Sequence, residues 1–354
     1  MDSKQLRRLL LEKANACVGC LSAIRTVGSH RRHPDPQLGE SLAMPDDFQS
    51  DEAKLLSCKA FRAMGDKTQV FSFAESAFVR NRLSHVMEVT ANAVVASNIL
   101  GLNTSLVRAA AIGHDFGHVP FGHSGEKWLG EAMGKPDFCH EIMGPIIVQK
   151  IERGGFGLNL AWHTMDAMMR HSGTFAKGSM SPEARVLNCA DKGGYLFHDI
   201  NDIFGRMRYS MSPELRETVD FFGENQRERG CTAIAALIVE SAEMGRVSFE
   251  HSEVAKKFAH LRKLMYDVYF RVTSQDVGVK LGPVLDFLTT LNVGDPFLVL
   301  ALMTDKDIAL MTSPGEHMDI RLFNRTTVKE IVDRFHKEGR ELKGINMCDP
   351  DLDW

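Results

Sequence analysis

Apolar residues recur every three or four positions along much of the chain, which is the spacing of one face of an α-helix. The clearest run covers positions 83–100, and its apolar face comprises Leu83, Val86, Val89, Ala93, Val94 and Leu100. Gly101 follows directly, and glycine is the residue that most often ends a helix in the left-handed conformation. The pattern predicts an amphipathic helix that ends at residue 100.

Two further helices are predicted from their starts. The sequence Ser-Pro-Glu at 181–183 combines an N-cap residue, a first-turn proline and a first-turn acid, so a helix should run from there towards residue 203. Thr326 or Thr327 is expected to cap a helix through VKEIVDRFHKEGRELKG. Glu330 stands in the capping-box position if Thr327 is the cap.

Alternating polar and apolar residues, the pattern of β-strands, form no clear run. A short β-hairpin near 66–74 is the one exception considered, because β-branched and aromatic residues follow a Gly-Asp pair there. Segments 28–50 and 312–320 hold proline, glycine and polar residues and are expected to be loops. The sequence predicts an all-α fold, a helical bundle with additional C-terminal helices.

Composition narrows the class of protein without identifying it. The 354 residues are 44% hydrophobic and 25% charged, with a net charge of −4, so the overall charge requires neither nucleic acid nor a membrane as a partner. No apolar run approaches the roughly 18 residues of a membrane span. The stretch MDSKQLRRLLLEKANAC is expected to be a short amphipathic helix and not a signal peptide, because its apolar run is short.

The cysteines favour a reduced, cytoplasmic protein, since seven of them are scattered through a long chain without a disulfide framework. Cys17 and Cys20 form one CxxC with His30 and His33 nearby, but the spacing does not fit a zinc site. Residues 1–50 are therefore expected to form an arm of one helix and a loop.

The densest group of reactive side chains lies in HDFGHVPFGHSGE, residues 114–126. Burying so many ionisable groups is costly unless they bind a metal or each other, although a polar, histidine-rich loop is the alternative. Adjacent residues of a regular helix point about 100° apart, so His114 and Asp115 can share one ion only if the helix ends or bends there. Gly113 and Gly117 permit such a bend.

Two other segments offer further metal ligands. His85 lies in RNRLSHVMEV, one helical turn after an arginine. Asp191, Tyr195 and Asp199 follow each other at intervals of four in the helix predicted from residue 181, and Lys192 borders them. An internal salt bridge with a solvated edge would explain the same polar stripe.

Two imidazoles and two carboxylates suit borderline divalent ions such as Mn²⁺, Fe²⁺, Co²⁺ or Ni²⁺, whereas Mg²⁺ sites prefer oxygen ligands alone. Such an ion would lower the pKa of a bound water and polarise a phosphoryl group. Arg82 and Lys192 would neutralise charge on a polyphosphate, the arginine through two hydrogen bonds. We therefore expect a divalent-metal site, with Mn²⁺ as the first candidate and Mg²⁺ as the last.

The residues resemble those of a known family. The pattern H…HD…D, filled by His85, His114-Asp115 and Asp191, is that of HD-domain phosphohydrolases. The context is similar to dGTPase-like deoxynucleoside triphosphate (dNTP) triphosphohydrolases over about residues 50–210, in the segments KTQVF (67–71), RNRLSHVMEV (80–89), LVRAAAIGHDFGHVPFGHSGE (106–126), FCHE (138–141), LNL and MMRHSG (158–173) and ADKGGYLFHDINDIF (190–204). The Asp-Lys-x-x-Tyr-x-x-x-Asp pattern at 191–199 also resembles the vertebrate HD-domain dNTPase.

The resemblance implies a role for three groups of side chains. The metal would be held by His85, His114, Asp115 and Asp191. The catalytic group would comprise His123, Glu126, His140 and His118. The substrate would contact Gln69, Arg82, Lys192, Tyr195 and Asp199. Such enzymes cleave at the α-phosphorus and release a deoxynucleoside and intact triphosphate.

Individual roles follow from the same resemblance. His123 and Glu126 would act with the attacking water and the leaving oxygen, and His140 would assist them. His118 would face the α-phosphate. Tyr195 would pack against the deoxyribose where a 2′-hydroxyl would clash. The 3′-hydroxyl would be reached by Gln69 and Asp199.

Some positions depart from the family or stay open. Asn81 and Ser84 replace two threonines that are familiar beside the first histidine ligand. The mid-helix pair at 193–194 is Gly-Gly, which predicts a close backbone approach that requires small residues. His171 is expected either to support the metal site from behind or to be an ordinary buried histidine.

The expected organisation is an arm (1–50), an HD phosphohydrolase core (51–210) and a C-terminal helical region packed on it (211–354). The expected reaction is hydrolysis of dGTP or several dNTPs. The alternatives are an HD-domain nucleotidase or phosphodiesterase that acts on another nucleotide, and a non-catalytic nucleotide sensor. The resemblance also implies a homo-oligomer, a tetramer or hexamer, and allows a nucleotide effector; nucleic acid binding stays open.

Overall fold

The computed structural model of the chain describes residues 3–34, 46–70, 78–273, 276–313, 315, 318–352 and 354. Its helices are α1 Ser3–Asn15, α2 Asp47–Ser57, α3 Lys59–Ala63, α4 Arg82–Leu100, α5 Thr104–Gly113, α6 Gly122–Ala132, α7 His140–Ile146, α8 Trp162–Met169, α9 Pro182–Ile200, α10 Pro213–Phe222, α11 Gln226–Met244, α12 Glu253–Thr273, α13 Gly278–Thr289, α14 Pro296–Leu302, α15 Asp305–Met311, α16 Ile320–Phe323 and α17 Thr327–Lys337. Within these described segments no β-strand forms, so the predicted all-α class is confirmed.

Helix α4 begins and ends where local capping chemistry allows. The side chain of Asn81 accepts a hydrogen bond from the Ser84 N–H at 2.9 Å, which satisfies one of the free donors of the first turn. Gly101 adopts a left-handed φ of 78° at the C-cap, as predicted. The buried face of α4 packs against α5 and α9.

Helix α9 lies against α4 at very short range. The Ser181 hydroxyl caps its first turn by accepting from the Ala184 N–H at 3.1 Å, and the helix ends at Ile200, where a π-helical segment continues. A Cβ at Gly194 would lie 2.7 Å from Val89, which confirms the predicted close approach. The same prediction is wrong for the preceding glycine, which faces open space.

Helix α5 ends at Gly113, and His114 occupies its C-cap position. The predicted helix end at the His-Asp pair is therefore confirmed. A Cβ at Gly117 would lie 2.1 Å from the His140 carbonyl oxygen, so the loop after the pair runs against the start of α7. Only a residue without a side chain fits that contact.

Helix α17 is capped from another part of the chain. Thr326 is its N-cap residue, but the Thr326 hydroxyl donates back to Phe323. The Thr327 N–H instead donates to Asp307 Oδ1 at 2.6 Å. Of the two predicted N-cap positions Thr326 is thus the correct one, and the capping box that Thr327 would have formed with Glu330 does not arise.

Several predicted loop features lie partly outside the described residues. Within 66–70, Thr68 pairs with Asn81 in an isolated antiparallel bridge, and the remainder of the predicted hairpin, 71–74, is outside the described residues. The predicted loop 28–50 includes the start of α2, and its positions 35–45 are outside them too. The same holds for 314, 316 and 317 of the loop predicted at 312–320.

One apolar core joins the N-terminal and C-terminal parts of the chain. Its buried members extend along the sequence and include Ala14, Val86, Met143, Leu298 and Leu352. The C-terminal helices thus pack on the helices that carry the His-Asp motif, while the boundaries at 50 and 210 stay predictions.

All seven cysteines are free thiols. In the part of the chain that the structure describes, no helix has the length and apolarity of a membrane span.

Candidate metal centre

Three helices bring the four predicted metal ligands together in a buried cluster. His85 comes from α4, His114 and Asp115 from the end of α5, and Asp191 from α9. His85 Nε2 lies 3.2 Å from Asp191 Oδ1, and His114 Nε2 lies 3.6 Å from the same oxygen. His114 Nε2 also lies 3.4 Å from Asp115 Oδ1. Ligand atoms around one octahedral ion are separated by roughly 3 Å when metal–ligand bonds are about 2.1 Å, so these three separations are close to those of ligands that share an ion.

The His114 ring is oriented for ligation. Its Nδ1 lies 2.7 Å from the Ala111 carbonyl oxygen, so the proton belongs on Nδ1 and the lone pair on Nε2. His114 Nε2 is buried and has no hydrogen-bond partner among the described residues. A buried nitrogen without a partner is costly, and a cation between the imidazoles and carboxylates would complete it.

Both carboxylates of the cluster carry negative charge. Burial alone would raise the pKa of Asp115, but His114 and Arg82 hold that pKa well below its usual range. The adjacent imidazoles of His114 and His85 likewise overcome the effect of burial and hold the pKa of Asp191 below its usual range. Two ionised carboxylates and two imidazoles are a donor set that divalent ions of the first transition series accept.

Comparison with known proteins places this cluster in a named domain. The HD domain family model matches residues 82–192, which include all four candidate ligands. A deoxyguanosinetriphosphate triphosphohydrolase-like protein of Caldanaerobacter subterraneus subsp. tengcongensis is 36% identical over 224 residues, 62% of this chain and 64% of the relative. Its namesake in Desulfatibacillum aliphaticivorans is 34% identical over 236 residues, 63% and 66% of the two chains.

A third relative, the protein of the same description in Clostridium perfringens, is 32% identical over 241 residues, which are 64% of this chain and 69% of the relative. The chain belongs to the dGTPase-like family of HD-domain proteins. It spans slightly less than two thirds of the first two relatives' length.

In this dGTPase-like chain a second cluster, the Glu126 cluster, adjoins the candidate metal ligands and comprises His118, His123, Glu126 and His140. The Glu126 carboxylate is its centre: it contacts His118 Nδ1, lies 3.1 Å from His140 Nδ1 and lies 3.6 Å from His123 Nδ1. The rings of His118 and His140 stack with centroids 3.7 Å apart. His123 differs from the other three because its side chain is 79% exposed and therefore available to a ligand.

The two stacked histidines have opposite electrostatic environments. Burial, Arg82 and His140 together lower the pKa of His118 to about 4. Burial also opposes the charge of His140, but Glu126 and Glu141 outweigh it and raise the pKa of His140 to about 9. Near neutral pH the cluster therefore holds one neutral imidazole beside one imidazolium.

Arg82 connects the cluster of metal ligands to the loop before α4. Its Nη1 lies 2.5 Å from Asp115 Oδ2, and its Nη2 donates to the Thr68 carbonyl oxygen at 3.0 Å. Gln69, the next residue, is half-buried, and its Oε1 is buried with no hydrogen-bond partner among the described residues. Both predicted substrate contacts on this side thus lie at one loop.

The predicted polar stripe is present on α9, and α12 covers its far end. Lys192 Nζ donates to Asn188 Oδ1 at 2.7 Å, one turn earlier on the same helix. The Tyr195 hydroxyl accepts a hydrogen bond from Arg262 Nε at 3.2 Å. Lys192 and Arg262 thus place two cations beside the stripe, at successive turns of α9.

Asp199, at the end of the stripe, is bound within the protein. One of its oxygens pairs with Arg80, and the other accepts from the Tyr269 hydroxyl at 2.7 Å. Burial raises the pKa of Asp199 to about 6, although Arg80 opposes this. The internal salt bridge considered from the sequence therefore exists at this position, and Arg80 also contacts Asp202 at 3.2 Å.

His171 lies inside the site, which the sequence left open. Its Nδ1 lies 2.6 Å from the Met168 carbonyl oxygen. Its Nε2 is therefore left 3.2 Å from His140 Nε2 and 3.8 Å from Asp115 Oδ1. The ring bridges the metal ligands and the Glu126 cluster. Sequence reasoning missed Arg80, Glu141 and Arg262, since nothing in their local spacing distinguishes them from surface charges.

Proposed function

We propose that this protein hydrolyses dNTPs at the α-phosphorus, releasing a deoxynucleoside and inorganic triphosphate. The order of polar side chains along α9 is the main support for this function. Asp191 belongs to the cluster of metal ligands, Lys192 borders it, and Tyr195 and Asp199 follow at one-turn intervals. A metal-bound phosphate at the start of the stripe would therefore place a sugar along its continuation.

The side chains present fit a divalent ion, with Mn²⁺ first and Fe²⁺, Co²⁺, Ni²⁺ or Mg²⁺ as the other candidates. When bound, such an ion polarises the phosphoryl group and favours ionisation of water. Arg82 and Lys192 neutralise the charge of the triphosphate. Because Arg82 is already paired with Asp115, its guanidinium is held in place next to the ligands of the ion.

The Glu126 cluster performs the proton transfers in this proposal. The water oxygen bonds to the α-phosphorus, the bond from phosphorus to the 5′-oxygen breaks, and a proton must reach that oxygen. His123 is the exposed member that can approach it, and Glu126 orients the His123 ring. His140 assists through Glu126, while His118 faces the α-phosphate from the side of Asp115.

The sugar contacts would set the preference for deoxynucleotides. Tyr195 lies along the stripe where a 2′-hydroxyl would meet its ring, and Arg262 holds its hydroxyl in place. Asp199 still has acceptor capacity for a 3′-hydroxyl, because each carboxylate oxygen can accept more than one hydrogen bond. Gln69, in the loop before α4, would be the other contact of the 3′-hydroxyl, since its amide oxygen has no hydrogen-bond partner among the described residues.

Product analysis tests this function directly. Purified protein with Mn²⁺ and each dNTP in water enriched with ¹⁸O should yield deoxynucleoside and triphosphate, with the label in the triphosphate. Label in the nucleoside would contradict attack at phosphorus. Turnover of nucleoside monophosphates or cyclic nucleotides alone would favour the nucleotidase or phosphodiesterase alternative. Binding without turnover, in mixtures of dNTPs and with every ion, would favour a sensor.

The nucleotide effector belongs to the same proposal. A cleft of about 770 Å³ away from the metal ligands is lined by the cations Arg32, Lys150, Arg340 and Lys343. Nucleotide phosphates are anionic, so this cleft is where we expect an effector to bind. A dNTP that is not itself hydrolysed should raise the rate on a second dNTP, and Arg340→Glu should remove that stimulation. A tetramer or hexamer stays a prediction, which light scattering tests.

A further inference from the structure

Asp305 begins α15, far along the chain from the HD domain, yet it contacts both sides of the candidate active site. Only 4% of its surface is exposed. Asp305 Oδ1 accepts from the Thr68 hydroxyl at 2.6 Å and from the Phe121 N–H at 3.2 Å. Asp305 Oδ2 accepts from the Thr68 N–H at 3.2 Å. None of the three donors belongs to the helix of Asp305 itself.

Asp305 holds Thr68, which belongs to the loop that carries Gln69 and contacts Arg82. The Thr68 carbonyl oxygen accepts from Arg82 Nη2, and the Arg82 N–H donates to the carbonyl oxygen of Lys67 at 3.0 Å. The Lys67 ammonium donates to the His118 carbonyl oxygen. A shift of this loop would therefore move the guanidinium that faces the triphosphate.

On the side of α6, Asp305 holds Phe121. It adopts a left-handed φ of 66° at the N-cap of α6, and its side chain supplies no cap. That conformation is uncommon for a bulky residue and persists only where the surroundings hold it. The hydrogen bond to Asp305 is one such restraint, and α6 then carries His123 and Glu126 within its first two turns.

We propose that Asp305 is a positioning residue that holds the loop of Thr68 and Gln69 and the start of α6 at a fixed separation. Its kinetic consequence rests on the proposed function; the structural tie does not. Asp305 is not a phosphate contact in this proposal, because its carboxylate is negative, buried and already shared by three donors.

Asp307 provides a matched control. It lies in the same turn, is as deeply buried, and accepts from the Thr304 N–H at 3.0 Å and the Thr327 N–H at 2.6 Å. These bonds stay within the C-terminal region. Asp305→Asn and Asp307→Asn thus remove comparable buried charges, but only the first removes a contact to the candidate site.

Amide hydrogen exchange of the full chain tests the tie without any assumption about substrate. In Asp305→Asn, peptides that contain the amides of Thr68 and Phe121 should both exchange about tenfold faster, and Asp307→Asn should leave them protected. Unchanged exchange in Asp305→Asn, or equal loss of protection in both variants, would overturn the proposal. Thr68→Val removes one donor and Thr68→Ser keeps it, so this pair decides the question if Asp305→Asn does not fold.

Kinetics on dNTPs tests the consequence. Asp305→Asn and Thr68→Val should lower kcat about ten- to a hundredfold with metal content and KM little changed, since misplacement by about 1 Å has that effect. Thr68→Ser and Asp307→Asn should stay near the original rate. A loss of rate that only parallels the loss of thermal stability in all four variants would contradict positioning. A wild-type protein that turns over no dNTP would fail the proposed function, while the exchange data would still decide the tie.

Discussion

Two buried acidic sites in this molecule use opposite means to hold negative charge. Glu240 of α11 is 3% exposed, and its carboxylate is surrounded entirely by donors of the protein. The donors are the N–H groups of Glu250, His251 and Ser252 and the hydroxyls of Ser248 and Ser252. Asp115 and Asp191 instead face imidazole nitrogens, and one of those nitrogens, His114 Nε2, has no hydrogen-bond partner among the described residues.

The two sites show which kind of buried charge indicates a bound ligand. Burial alone does not, because Glu240 is about as inaccessible as the candidate metal ligands. A carboxylate whose acceptors are all filled by N–H and O–H groups is complete and stabilises the fold. A group of carboxylates and imidazole lone pairs that point at each other needs a cation to be complete.

Removing one ligand should have the largest effect. Asp191→Ala is expected to abolish metal binding and to lower turnover by more than about a hundredfold. This loss exceeds the one usually seen when a residue that only hydrogen-bonds to a metal ligand is replaced. Metal analysis and product chromatography measure both quantities. Glu240→Gln is the matched control and should retain the ion. A fully loaded Asp191→Ala protein with a normal rate would remove Asp191 from the site.

The Glu240 site, in which every acceptor is filled by a donor of the protein, should instead affect the stability of the fold. Glu240→Gln is expected to lower the free energy of unfolding by about 1–3 kcal/mol, because a charged acceptor with several donors is replaced by a neutral one. Urea unfolding measures this change. Metal content and rate at neutral pH should stay the same. Loss of the ion in this variant would mean that the two sites are not independent.

The same residue predicts a pH dependence. Although burial opposes the charge, the surrounding hydrogen bonds lower the pKa of Glu240 to about 2. An unfolded glutamate titrates near about 4.3, so the stabilisation by the charge is complete above that pH and is lost as pH falls towards 2. The difference in unfolding free energy between the wild type and Glu240→Gln should therefore shrink over this interval. A constant difference would show that the charge is not the cause.

The smallest effect is expected for Tyr195, which lies one turn after Asp191 on α9 but is not a candidate metal ligand. Tyr195→Ala should relax the rejection of ribonucleotides by about tenfold, since a 2′-hydroxyl would then meet open space. Tyr195→Phe keeps the ring and removes only the bond with Arg262, so it should keep the preference. Competition between GTP and dGTP measures the ratio, and an unchanged ratio in Tyr195→Ala would refute the steric role.

The sequence predicts the features that depend on neighbouring residues. The cap at Ser181, the left-handed Gly101 and the helix end at Gly113 are all local, and the structure confirms each of them. His114 and Asp115 stand out in the sequence because ionisable residues at the density found in 114–126 are costly to bury without a metal ion, while the full set of four candidate ligands follows from the resemblance to the H…HD…D pattern. Their placement in one buried cluster agrees with this, while their roles stay predictions until a metal is measured.

What the sequence could not predict depends on distant contacts. Asp305 and Thr68 are separated by 237 positions, and Arg80 and Asp199 by 119, so spacing carries no signal for either pair. Glu240 lies in an ordinary apolar helix and is recognisable only from the loop that surrounds it. The close backbone approach predicted from the glycine at position 193 is also wrong, because a Cβ there would meet open space.

The bond from the Thr327 N–H to Asp307 has a consequence for the stability of the last helices. An 11-residue helix such as α17 is marginal by itself in water, and its first turn takes its acceptor from a residue 20 positions earlier. The stability of helix α17 is therefore coupled to the turn at Asp307. The two helices should then gain or lose their order together, and a truncation within α17 would weaken the turn that begins α15.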